Sequence, residues 1–162
     1  MYLLRYLSFL FSSTNQHGVH SPFVYTLVTK GLYKKDKYTS IKSLNTALKL
    51  LDYFKISEIN LKDQNETFKA LITEKFPNIG LDTNSESFIY LDNLSDKNVL
   101  FFKELERFNN DTLIYINNIN KNYAHWQALI TLEKIKVSID TFHGGILFFR
   151  REQVKEHFKI RI

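Results

Sequence analysis

Apolar positions along this chain recur with helical and with strand spacing. Phe68, Leu71, Ile72 and Phe76 fall at i, i+3, i+4 and i+8, one buried helical stripe. Just before them Glu58, Ile59, Asn60 and Leu61 alternate polar and apolar, which predicts a short strand running into that helix. Nearer the start, an apolar first helix ends in Asn15-Gln16-His17-Gly18, and Ser21-Pro22 supplies an N-cap followed by proline at the first helical position. Phe23, Leu27 and Val28 carry that second helix as far as Gly31. A longer helix over 39–54 places Ile41, Leu44, Leu48, Leu50 and Leu51 on its apolar side.

Downstream of Pro77, residues 78–82 (NIGLD) and 87–91 (SFIYL) are strand candidates. Ser95 caps a helix whose face is Val99, Phe102, Leu105 and Phe108. Leu113, Ile114, Tyr115 and Ile116 form an unbroken apolar run, the pattern of a strand covered on both sides. A helix over 122–134 carries Tyr123, Trp126 and Ile130. The chain then finishes on two strands, 135–142 and 146–150, with His143-Gly144-Gly145 as a tight antiparallel turn. Strand and helix alternating before a terminal hairpin predict an α/β fold, a mostly parallel sheet with an antiparallel C-terminal hairpin strand and N-terminal helices. The chain reads as one domain: a helical segment 1–54 packed on an α/β core 55–162.

Composition narrows this picture. With 44% apolar residues, fourteen Phe and nine Tyr in 162 residues, the chain can bury a core. The net charge is +5, but Lys and Arg are scattered among Asp and Glu, so nucleic acid is not the expected main ligand. The absence of cysteine removes disulfides, thiolate catalysis and Cys-ligated zinc, and fits a cytoplasmic protein. The opening run MYLLRYLSFLFSS is broken by Arg5 and lacks a signal-peptide cleavage pattern. No stretch approaches the ~20 apolar residues of a membrane span. A short helix packed on the body is expected there, with attachment to a membrane surface as its rival.

The junction at 57–68, SEINLKDQNETF, is where an α/β domain would hold a nucleotide-like cofactor. Such a loop needs glycines for close backbone approach, and here the turn is Lys62-Asp63-Gln64-Asn65. Asp63 and Glu66 read as an N-cap and N3 pair closing the helix with its own side chains. Asp92, at the end of a central strand, is the position for a catalytic or metal-binding acid, or simply the start of a turn. His17 and His20, three apart on a loop, make a poor metal-ligand set and no metal site is expected; they lock the entrance to the second helix or, for His20, face a substrate. Trp126 reads as core, His143 as solvated, and Asp140 could point into a cleft.

Three segments carry a family resemblance. They are His17-Gly18-Val19-His20-Ser21-Pro22-Phe23; Val137-Ser138-Ile139-Asp140 through Ile146-Leu147-Phe148-Phe149-Arg150-Arg151-Glu152-Gln153; and Lys155-Glu156-His157-Phe158-Lys159-Ile160-Arg161. Together they resemble a bacterial subgroup of class I S-adenosylmethionine-dependent methyltransferases with an N-terminal H-G-x-H-S-P-F segment; the middle of the chain is similar only in pattern. The resemblance implies a Rossmann-like sheet with an antiparallel last strand and S-adenosylmethionine at the carboxyl ends of the central strands. It also implies an E-x-G-x-x-x-G loop, whose acidic and glycine positions here are Asn60, Lys62 and Glu66. The subgroup's acidic pair after its penultimate central strand is Asn117-Asn118 here, and a strand-helix unit is missing. That leaves Asp82 as the remaining candidate for the acidic ribose contact.

These departures lead to the expectation of a degenerate methyltransferase-like protein that has lost S-adenosylmethionine and acts as a binding or partner subunit, toward a protein partner or a second copy. The alternative is an active methyltransferase with a rebuilt site, using Asn60, Asp63 or Asp82 for the cofactor and Asp92 or His20 near the substrate. A further alternative is a basic binding module for nucleic acid or a membrane surface.

Overall fold

A computed structural model describes residues 2–106 and 108–162. Strands β1 (Asn60–Leu61), β2 (Phe88–Leu91), β3 (Leu113–Asn117), β4 (Val137–Asp140), β5 (Gly144–Phe148) and β6 (Glu156–Lys159) form one sheet in the order β1-β2-β3-β5-β4-β6. β1, β2 and β3 pair in parallel, β5 runs antiparallel between β3 and β4, and β6 is parallel to β4. The fold is α/β with a mostly parallel sheet, compatible with a shortened Rossmann-like architecture.

Helices cover both faces. α2 (Pro22–Leu27), α3 (Lys42–Phe54) and α4 (Glu66–Lys75) pack on the side bearing Phe88, Tyr90, Leu113 and Tyr115. α5 (Asp96–Glu104) and α6 (Tyr123–Ile130) pack on the side bearing Ile89, Leu91, Ile114 and Ile116. Every residue of β2 and β3 is therefore buried, which is why these strands read as apolar runs. Ser21 caps α2 through the Val24 N–H and Ser95 caps α5 through the Asn98 N–H, as their sequence signals predict. The helical face of α2 continues through a π-helical turn over Val28–Leu32.

α1 (Tyr2–Ser12) lies apart from both layers. Thr14, just after it, bridges Ile160 beside β6, so α1 emerges at the carboxyl ends of β4 and β6. There Tyr2, Tyr6 and Phe9 close on the Phe142 ring, with centroids 5.4, 4.9 and 5.5 Å away.

Several expectations need correction. The chain ends on three strands, since β6 adds to β4; with only Phe158 and Ile160 buried among charged neighbours, the segment is too short for alternation to reveal it. Residues 78–82 make an isolated parallel bridge, Glu58 to Gly80, and no strand. α5 ends at Glu104, so Leu105 leaves the helical face, and α6 ends at Ile130, short of 134. The hairpin turn is made by residues 141–143, with Phe142 at φ 71°, and the paired glycines lie inside β5. Their smallness serves packing: a Cβ on Gly144 would sit 2.0 Å from the Tyr115 hydroxyl, and one on Gly145 would sit 2.4 Å from the Trp126 ring.

Candidate functional site

The helix after β1 packs on one face of the sheet and the helix after β2 on the other. That split of helices to opposite faces marks the carboxyl ends of β1 and β2 as the switch point, where α/β sheets form a ligand crevice. Here the crevice is crossed by side chains bonded to one another. Asp92, one residue past β2, accepts at Oδ1 from Asn65 Nδ2 at 2.6 Å, the Tyr90 hydroxyl at 2.8 Å and Asn117 Nδ2 at 2.8 Å. Asp63, two residues past β1, accepts at Oδ2 from the Asp92 N–H at 3.0 Å and from Asn98 Nδ2 at 2.6 Å. Asn98 also donates to the Asn93 carbonyl at 2.9 Å.

The loop after β1 is closed differently from its sequence reading. Asn65, not Asp63, is the N-cap of α4, its Oδ1 accepting from the Phe68 N–H at 2.8 Å. That bond leaves the Asn65 amide nitrogen free to reach Asp92, so one side chain ends the helix and bridges the crevice. Glu66 begins α4 in an exposed position, and the exposed Lys62 places its ammonium 5.1 Å above the Phe101 ring. The space is filled by Asp63 and Asn65.

The floor of the crevice is aromatic. Tyr90 is fully buried, stacked on Phe68 with centroids 4.1 Å apart. Burial first, then the adjacent Asp92 carboxylate, push the Tyr90 phenol far above its ordinary range, so it stays a neutral donor. Asn117 is buried; its Nδ2 is used and its Oδ1 has no partner among the described residues.

The remaining predicted residues are dispersed. Asn60 lies within β1 in register with Ile89. Asp82, left-handed at φ 56°, is tied to Lys69 of α4 by a 2.7 Å ion pair. It flanks β1 because Thr83 N–H bonds to the Ile59 carbonyl. His20 is exposed ahead of α2, and no described contact joins it to Asp92. Of the proposed residues, then, the fold brings together Asp63 and Asp92. Sequence reasoning missed Asn65 and Asn98; a polar residue in the first turn of α5 that is only 2% exposed gives no sign of its burial in the sequence.

A second polar cluster lies under α1. Asp140, at the end of β4, is fully buried and accepts from the Tyr123 hydroxyl at 2.7 Å and the Phe142 N–H at 2.7 Å. Burial raises its carboxyl above the ordinary range, against the opposing pull of those donors. Arg5 donates to the Asn120 carbonyl, and a cavity of about 70 Å³ lies between Arg5, Asn120, Tyr123 and Lys159.

The larger clefts open elsewhere. One of about 290 Å³, lined by Phe23, Phe54, Ser57, Ser87, Leu113 and Arg150, opens at the amino ends of β1, β2 and β3, opposite the switch point. Its Arg150 is engaged by Glu152 at 3.1 Å and Asp111 at 3.6 Å. Compared with protein-family models, curated proteins and solved structures, the chain matches none.

Proposed function

We propose that this chain is a methyltransferase-like scaffold without cofactor chemistry, acting as a binding or partner subunit. The observation that carries the reading is the Asp63–Asp92–Asn65 bridge across the crevice. On this reading the residues present do not fit S-adenosylmethionine. No glycine in the Lys62–Asn65 turn admits a ligand to the backbone. The N-terminal N–H of Phe68 in α4 is already taken by Asn65, where a ligand carboxylate would need it. One oxygen of each carboxylate, Asp63 Oδ2 and Asp92 Oδ1, is engaged by protein donors, so opening the crevice means leaving several of those donors unpaired.

The surface left for function is the outside of the α/β body, and the reading assigns it to contact with a protein partner or a second copy. Isothermal titration with S-adenosylmethionine tests the proposal. No heat of binding is the expected result, and saturable binding in the micromolar range or tighter overturns it.

A further inference from the structure

α1 carries two apolar faces, and the fold uses one. Tyr2, Tyr6 and Phe9 face Phe142, and Arg5 is turned inward to the Asn120 carbonyl. Leu3, Leu7 and Phe11, at i, i+4 and i+8, form a second stripe with Leu4 beside it. Their exposures are 64, 40, 89 and 72%. Ile41 and Ile162, each 45% exposed, lie next to Lys42 and Arg161, which line the cleft along Tyr6, Phe9 and Leu10. On the other flank Lys159 borders the cavity under Arg5 and Ser8.

The Lys and Arg side chains that line the clefts flanking α1 are Lys42 and Arg161 on one side and Arg5 and Lys159 on the other. Among the described residues no Asp or Glu side chain lines either cleft beside α1, and Asp140 behind them is fully buried. A two-fold contact between copies would set Lys42, Lys159 and Arg161 near their own counterparts with no Asp or Glu side chain of these clefts to pair them. An apolar stripe rimmed by cations instead suits a surface that is apolar beneath and anionic above. At 11 residues α1 is roughly 16 Å long, enough to lie in such an interface and too short to cross it.

We infer that the outer face of α1 docks this protein onto anionic lipid surfaces, with Leu3, Leu4, Leu7 and Phe11 entering the headgroup layer and Lys42, Lys159 and Arg161 meeting lipid phosphates. The inference is independent of whether the crevice binds a cofactor.

Co-sedimentation of the full chain with vesicles tests it, using equal parts phosphatidylcholine and phosphatidylglycerol against phosphatidylcholine alone. Binding to the anionic vesicles is expected to be about tenfold tighter or more, and to weaken with added salt. The double variant Leu4→Asp/Phe11→Asp should lose binding about tenfold or more with an unchanged circular dichroism spectrum, because both side chains are exposed in the fold. Lys42→Glu/Arg161→Glu should erase the preference for anionic lipid. Absence of binding to anionic vesicles at low salt overturns the inference. So does sedimentation showing a dimer that Leu4→Asp/Phe11→Asp converts to monomer, since a second copy would then cover the stripe.

Discussion

Asn65 donates to Asp92 across 2.6 Å, tying the cap of α4 to the end of β2. The bond spans the mouth that a cofactor would enter and shares its acceptor oxygen with Tyr90 and Asn117. Asp92 is therefore a hub on which three donors from three segments of the chain converge.

Asp92→Ala strands the donors of Asn65, Tyr90 and Asn117, at an expected cost of about 2–4 kcal/mol in urea unfolding. A double-mutant cycle with Asn65→Ala is expected to show a coupling of about 1–2 kcal/mol, because the residues share one network. Additive effects would show that the bridge contributes nothing to folding.

Gly144→Ala places a methyl group where the Tyr115 hydroxyl lies, and that hydroxyl is held 2.5 Å from the Ser43 carbonyl of α3. The strained packing is expected to cost about 1–3 kcal/mol. Tyr115→Phe removes the nearest clashing atom, so Gly144→Ala should cost less in that background. Thermal denaturation of the four proteins measures the difference.

Asp140 carries a raised folded-state carboxyl, so the folded chain holds its proton more tightly than the unfolded one. Its contribution favours folding below the unfolded value near 4 and is lost as pH rises through the higher folded value. Asp140→Asn removes the charge. Its oxygen still accepts from the Phe142 N–H, and its nitrogen can donate to a rotated Tyr123 hydroxyl. Urea unfolding from acid to neutral pH should show wild type declining over this interval and the variant not.

Asp52 behaves oppositely. The ammonium groups of Lys34 and Lys55, at 2.8 and 3.0 Å, hold its carboxyl down at about 2. The stabilisation is present above the ordinary carboxylate range and disappears as pH falls through about 2. Asp52→Asn should therefore cost about 1 kcal/mol or less at neutral pH, since both lysines are well exposed, and nothing in strong acid. Acid unfolding curves of the two proteins check the sign.

Much of the fold was legible because local physics wrote it. Ser21-Pro22 and Ser95 start helices by bonding N–H groups a few residues away, and β2 and β3 announce their double coverage in unbroken apolar runs. β6 was not legible, since its pairing with β4 is set by a partner about twenty residues away and its own pattern is too short. Gly144-Gly145 looked like a turn because a sequence does not show that Tyr115 and Trp126 press on those positions.

From the sequence alone came the α/β class, the glycine-free turn after β1 and the carboxylates at strand ends. These follow from residue type, periodicity and near neighbours, which a chain carries whether or not it is folded. Only the tertiary structure decided what those carboxylates do. Asp92 meets Asn65 from 27 residues away and Asn117 from 25, while Asp63 meets Asn98 from 35. Parallel pairing of β1, β2 and β3 brings the loops after them to one end of the sheet and turns those separations into hydrogen bonds.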